Sequence, residues 1–369
     1  MSDGAPFPVL SLQSVTTRAV RVPLTFALGT SADVVRAVPL LLVDVLTAQG
    51  ITGRAYVFCY TAAGAKAIAG LVTEAVELAK AMPDTAPLAV MQGLSRRYAL
   101  LGVTGPVRMA LSVLDMALWD ALAVSVGLPL ATVLGGAPRP IRAYDSRGLG
   151  LMEPDRLADE AEALLAKGLH AIKLRLGHPT LAEDLAALRA VRGRISGAIP
   201  VMVDYNQALT RIEALRRGRA LQDEGIAWLE EPLRHDDTAG NAAVAQALAV
   251  PVQIGENFNG PQAMLEAVTA GACDLVMPDV SRIGGVTGWM QAAGIAAAAG
   301  IEMSSHLMPE ASAHLLSATP TAHWLEYVDW ADAILEDPLP LADGAAVTST
   351  RPGLGLTWDE GKLNHLEML

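Results

Sequence analysis

PVMVDYNQALTRIEALRRGRALQDEGIAWLEEP (residues 200–232) runs from one short apolar stretch to the next through a charged, helix-patterned segment. The apolar and β-branched residues over 200–206 and again over 227–232 predict strands, and the segment between them predicts a helix. Strand, helix and strand in that order predict two parallel strands joined by a crossover helix. Each of the two strands also carries an acid at its end, Asp204 in one and Glu230 in the other.

The same texture extends outward in both directions. Further strands are predicted over 142–146, 171–175, 252–257, 274–279, 302–306 and 323–327, each separated from the next by a helical stretch. Eight successive units predict a closed parallel barrel with its site at the carboxyl ends of the strands. Ahead of it, residues 15–24 alternate as a strand does, and 39–58 reads as a hairpin turning near Gly50 and Gly53. Helical patterns follow at about 62–81, 86–100 and 106–126, with Pro106 suited to a first turn. The expected fold is α/β: a modified TIM (β/α) barrel over 139–345, preceded by an α+β capping domain over 1–138 that closes the barrel mouth. A tail over 346–369, carrying RPGLGLTW, is expected to pack back on the capping domain.

Composition narrows the function classes. A chain of 369 residues holds one large barrel or two ordinary domains. Aromatic residues make up only 4%, too few for a base-stacking surface, and a net charge of −12 opposes nucleic acid and anionic membranes. Cys59 and Cys273 form no CxxC pair, so a reducing cytoplasm is the expected location. The first residues hold no basic region followed by an apolar run. The longest uncharged run, 121–137, is broken by Gly127 and Pro129, so no membrane span is expected.

The strand ends carry the chemistry. Asp204, Glu230, Glu256 and Asp279 sit at the ends of strands three to six, and His306 and Glu326 close seven and eight. A single acid at a strand end caps a helix or meets solvent. Six polar ends in succession within apolar strands point instead to one shared rim. Neighbouring carboxylates repel unless a cation holds them, and an all-oxygen set suits Mg²⁺. In AIKLRLG (171–177), Lys173 and Arg175 project to the same face, where two like charges require anions.

The motifs Lys173-Leu-Arg175, VDYNQ, WLEEP, GEN, MPDVSRIGG, SSHL and PTAHWLE, in this order and spacing, resemble the enolase superfamily and specifically its mandelate racemase branch. The resemblance covers nearly the whole chain. It implies that Asp204, Glu230 and Glu256 bind Mg²⁺ and that Asp279 and His306 form a dyad. It also implies that Glu326 is a protonated donor to the developing enolate, that Lys173 clamps the substrate carboxylate, and that Asn206 and Ser146 contact substrate. The implied activity is α-proton abstraction from a small 2-hydroxy carboxylate through an enediolate, and homo-oligomers are common in the family. Elementary chemistry agrees with those roles. The α-proton is very weakly acidic, so the barrier falls mainly through stabilising the developing negative charge. His306 has an intrinsic pKa suited to a base near neutrality, and Asp279 would fix its tautomer.

Arg175 departs from the family's Lys-x-Lys pattern, in which the second lysine is the base for one enantiomer. Arginine is effectively always protonated, so Arg175 is either a weakened second base or a fixed cation. The favoured activity is racemisation of an aromatic or bulky apolar 2-hydroxy acid. The alternatives are dehydration of an acid sugar with the His306–Asp279 dyad as sole base, and a catalytically dead binding barrel. In this branch an early loop, here TFALGTSADVVRAV (25–38), and the second hairpin select the substrate. Leu28, Val35, Phe58 and Tyr60 would make an apolar wall suited to an aryl group, with Arg36 a solvated surface charge.

Overall fold

The structure is a computed structural model that describes residues 10–29, 34–82 and 85–368. The first part is a three-stranded antiparallel sheet in the order β1 (Leu12–Gly29), β2 (Val34–Thr47), β3 (Thr52–Phe58). Helices α1 (Ala62–Lys80), α2 (Pro87–Arg97) and α3 (Gly105–Ser125) follow. Thr61 caps α1 by accepting from the Gly64 amide. α3 is buried along most of its length because β3 covers one side and barrel helices cover another. Gly53 lies inside β3 rather than at the turn. A Cβ there would stand 2.0 Å from the Ala117 carbonyl oxygen, so the close approach of α3 requires glycine.

The stretch 25–38, expected as a loop, is largely strand. Leu28 pairs with Val35 and Gly29 with Val34, extending β1 and β2 into a long two-stranded ribbon after a register shift beyond Pro23. Residues 30–33 of that stretch lie outside the described residues. The ribbon end rests on the barrel, where the Leu151 amide donates to the Gly29 carbonyl at 3.1 Å.

The barrel strands are β4 (Pro140–Asp145), β5 (Ile172–Arg175), β6 (Val201–Asp204), β7 (Leu229–Glu230), β8 (Val252–Ile254), β9 (Leu275–Val276) and β10 (Leu325–Tyr327). They run parallel in sequence order from β4 to β9, and β10 pairs with β4. The expected seventh strand, 302–306, is present only as isolated parallel bridges, Val276 with Met303, Asp279 with His306 and Met303 with Ala322. Those bridges close the ring between β9 and β10. The strands are shorter than their apolar runs, because much of each run continues past the ladder as a buried lining of the barrel mouth.

A small hairpin, β11 (Leu341–Ala342) and β12 (Ala345–Val347), adds antiparallel to the start of β4 and was not foreseen. The chain then returns to the first sheet. The Leu354 amide donates to Asp120 at 2.5 Å, the Trp358 indole to Asp44 at 2.7 Å and the Arg21 amide to the Leu366 carbonyl at 2.8 Å. Among the described residues no helix is long and apolar enough to cross a membrane, and both cysteines are free and buried.

Candidate active site

Short parallel strands deliver one functional side chain each to a common rim. Asp204 and Glu230 end β6 and β7 and are direct register partners. Glu256 lies two residues beyond β8, and Asp279 caps a short helix (Val280–Ile283) beyond β9, accepting from the Ser281 amide at 2.6 Å. His306 is the bridge partner of Asp279, and Glu326 lies in β10. The backbone at this rim is unusual. Tyr60, Leu149, Asn206, Gln207, Glu231, Leu307 and Met308 all have φ between 39° and 66°. Left-handed backbone at non-glycine residues concentrates where the surrounding structure over-determines it, and functional sites are the usual place.

Lys173 is fully buried at the centre of the acids. Its ammonium lies 2.5 Å from Glu230, 2.7 Å from Glu326 and 3.2 Å from Asp204. Burial works to lower its pKa, but Glu230, Glu326 and Asp204 outweigh it and hold the ammonium well above its ordinary value. Burial pushes Glu230 up to about 7 despite Lys173, with Asp204 and Glu326 adding to the rise. Asp204 accepts from the amide of Asn206 at 2.7 Å and from its side-chain nitrogen at 2.9 Å. The Asn206 Oδ1 is buried and has no partner.

His306 Nδ1 stands 2.8 Å from Asp279, while its Nε2 lies 3.3 Å from Glu256 and 3.9 Å from Glu326. Burial opposes protonation of the ring, but Glu326, Glu256 and Asp279 prevail and raise its pKa to about 9. Asp279, though buried, is held below its ordinary value by His306, Arg282 and Ser281. The acids grouped around the His306 ring therefore favour its protonated form. At Glu326 burial and the neighbouring cations act in opposite directions. Burial would raise it, but Lys173 and His306 bring it well below the carboxylate range.

Arg175 lies apart from the acids. Its Nη1 donates to the carbonyls of Ser146 at 3.2 Å and Gly148 at 2.9 Å, and its Nη2 donates to the Ser146 hydroxyl at 3.0 Å. Ser146 in turn donates to Glu326 at 2.7 Å. The guanidinium therefore braces the turn after β4 and joins it to the acid cluster through one hydroxyl.

The apolar wall is only partly assembled as expected. Phe58 is buried, its ring centroid 4.1 Å from that of Tyr60 and 4.9 Å from that of Trp330. Tyr60 is half-exposed, and its hydroxyl accepts from Arg282. Leu28 and Val35 sit on the ribbon, partly buried against the core, and Arg36 is exposed. Trp330 was missed because it lies beyond the last barrel strand, in a segment with no strand pattern.

Glu231 was also missed. It is buried, accepts from the Gly255 amide at 2.7 Å and leaves its Oε2 unpartnered. Burial, then Glu256, raises its pKa well above the usual range. The doubled acid of WLEEP was the available signal. Among the described residues no three acidic, imidazole or thiol groups are arranged around a shared metal position. The carboxylates face Lys173 and His306 instead.

The molecule thus combines a parallel barrel with acids on successive strand ends, an Asp–His pair and a buried lysine, preceded by an α+β domain. The chain belongs to the enolase superfamily, in the branch of mandelate racemase and muconate-lactonizing enzymes. Residues 12–135 match the mandelate racemase / muconate lactonizing enzyme N-terminal domain, and residues 156–362 match the enolase C-terminal domain-like family. An enolase from Bradyrhizobium, solved with magnesium and mandelic acid, superposes with a TM-score of 0.92 at 41% identity, covering 99% of this chain and all of that one. The L-talarate/galactarate dehydratase of Salmonella typhimurium is 35% identical over 71% of this chain and 66% of its own length. The 3,6-anhydro-alpha-L-galactonate cycloisomerase of Streptomyces coelicolor is 30% identical over 96% of this chain and 99% of its own.

Proposed function

We propose that this protein is a Mg²⁺-dependent hydro-lyase that abstracts the α-proton of a 2,3-dihydroxy carboxylate with a single base, His306. The observation that carries this reading is the state of Arg175. Its guanidinium is engaged by the Ser146 and Gly148 carbonyls and the Ser146 hydroxyl, which supports a fixed brace rather than a second base. His306 paired with Asp279 is then the base facing the acid cluster, while Lys173 is held there as a cation by three carboxylates.

The residues fit a hard divalent ion. Asp204, Glu230 and Glu256 offer only oxygen from three successive strand ends, and the orphaned, buried Asn206 Oδ1 lies beside Asp204. A bound Mg²⁺ supplies positive charge at these carboxylates, which favours release of the His306 proton and polarises a substrate carboxylate. Lys173 contributes a second fixed cation where negative charge develops. The α C–H bond breaks and its proton passes to His306 Nε2. The β C–O bond then breaks, and the hydroxyl leaves as water with a returned proton. The enol that results tautomerises to a 2-keto acid.

Racemisation of an aryl 2-hydroxy acid is the second reading. The Phe58–Tyr60–Trp330 cluster and the mandelic acid held by the Bradyrhizobium relative favour it.

The test is incubation with Mg²⁺ in D₂O across aryl 2-hydroxy acids and acid sugars, read by NMR. Under the dehydratase reading a 2-keto acid accumulates, and exchange is confined to one configuration at the α-carbon. Exchange at both configurations of mandelate with no keto acid from any substrate would replace it with the racemase reading. Activity should vanish with EDTA and return with Mg²⁺. Full turnover in EDTA would remove the metal assignment.

A further inference from the structure

A cavity of about 560 Å³ lies between the capping domain and the barrel loops, lined on one side by Arg108, Arg282, His235, Asn257 and Asn259. It has no aspartate or glutamate in its lining, in a chain with a net charge of −12. We propose that it binds a small dianionic oxyanion, of the carboxylate or phosphate kind, gripped by Arg108 and Arg282. The cavity shares Tyr60 with the aromatic cluster, but the proposal does not rest on the hydro-lyase reading.

Arg108 makes the strongest case. It projects from the first turn of α3, and its guanidinium has no hydrogen bond or ion pair among the described residues. Its Nε is buried without a partner. Burial lowers its pKa and no acid opposes that effect. The side chain passes close over Gly260 and Gly284, where a Cβ at Gly260 would stand 3.0 Å from Nη2. Two barrel loops therefore leave room for this cation without neutralising it. A half-buried guanidinium in that state is costly unless something outside the chain completes it.

Arg282 enters the same cavity, held by neutral acceptors. Its Nη1 donates to the Glu256 carbonyl at 3.0 Å and to the Asn257 side chain, and its Nη2 donates to the Tyr60 hydroxyl. Asp279, Glu256 and Glu231 act on it only as nearby charges, and none makes an ion pair with it. Thr104, Gly105 and Pro106 also line the cavity, and Thr104, the N-cap of α3, makes no side-chain cap bond. The positive end of a 21-residue helix thus adds to the two guanidiniums. The cavity exceeds the size of a bare ion, and Ile68 and Met109 give it an apolar side. An organic dianion with a short carbon body fills it better than phosphate alone.

The Mg²⁺-loaded protein should be melted in inorganic phosphate, succinate or acetate at matched ionic strength. Saturating phosphate or succinate should raise Tm by about 2 °C or more, and monoanionic acetate should not. A shift with succinate alone assigns a dicarboxylate. A shift with phosphate assigns a phosphate group, free or esterified. Arg108→Gln should abolish the shift and leave basal turnover unchanged, while Arg108→Lys should keep a smaller one. If the glutamine variant does not fold, a smaller shift and weaker affinity in Arg108→Lys carry the test. No shift in the wild type, or an equal shift in wild type and variant, overturns the proposal.

Discussion

At the residue scale two cations on one strand meet different partners. Arg175 and Lys173 share a strand, yet Lys173 meets three carboxylates and Arg175 meets three neutral oxygens. A planar fork with several donors can brace a turn in this way, whereas an ammonium on a shorter stem cannot reach all three acceptors. Arg175→Lys should therefore lower turnover by loosening the turn that carries Ser146, without opening a second face to exchange. A gain of exchange at the other configuration in D₂O would contradict this. His306→Asn should reduce kcat by about 10²–10⁴-fold, the usual contribution of a general acid–base group, while leaving Mg²⁺ affinity near wild type. The polar strand ends were legible in sequence because they interrupt apolar strands in a regular succession. The partners of Arg175 were not, since they are backbone carbonyls of a turn whose left-handed Gly148 and Leu149 leave no mark in local composition. The downward pull on the Glu326 pKa was hidden for a related reason: it depends on distances to Lys173 and His306, not on residue type.

At the scale of elements, the crossover pattern of strand and helix was readable because each unit is local. The ends of the ladders were not, because buried residues beyond a ladder look the same in sequence as residues within it. The ribbon of β1 and β2 shows a further limit. Its alternation weakens toward the tip, where the partner is a barrel turn far away in sequence. That contact is tight. A Cβ on Gly150 would stand 2.3 Å from the Gly29 amide nitrogen, against backbone that cannot move aside cheaply. Gly150→Ala should push the ribbon away from the turn beside Arg175 and raise KM by about tenfold, equivalent to about 1.4 kcal/mol of lost binding. Steady-state kinetics would show the rise in KM with a smaller change in kcat. An unchanged KM would mean that the ribbon does not close on substrate.

At the scale of the whole molecule, capping domain and barrel are joined by buried acids rather than by apolar packing alone. Asp115 on α3 accepts from the Thr287 amide at 2.8 Å and its hydroxyl at 2.6 Å, in the barrel helix Gly285–Ala299. Asp120 accepts from the Arg54 and Leu354 amides, and Glu310 accepts from the Tyr56 hydroxyl at 2.5 Å. Burial pushes each of the three up to about 7. An acid whose pKa is raised by folding binds more protons in the folded state, so stability falls as pH rises from the unfolded value toward the folded one. His306, raised to about 9 by its carboxylates against burial, also loses stability as pH climbs above its unfolded value of 6.5. His314 acts the other way: burial lowers it to about 4, and its contribution is complete by pH 6.5. Asp279 and Glu326, both lowered, change only on the acid side of the ordinary carboxylate range. Above pH 6.5 the remaining shifts share one sign, so Tm should fall between pH 6.5 and 8. Asp115→Asn keeps the shape of the junction and removes one ionisation, so its deficit relative to wild type should be smaller at pH 8 than at pH 5.5. Thermal melts at the two pH values decide the matter, and a deficit that grows with pH would show that Asp115 is held in the junction as a stable anion.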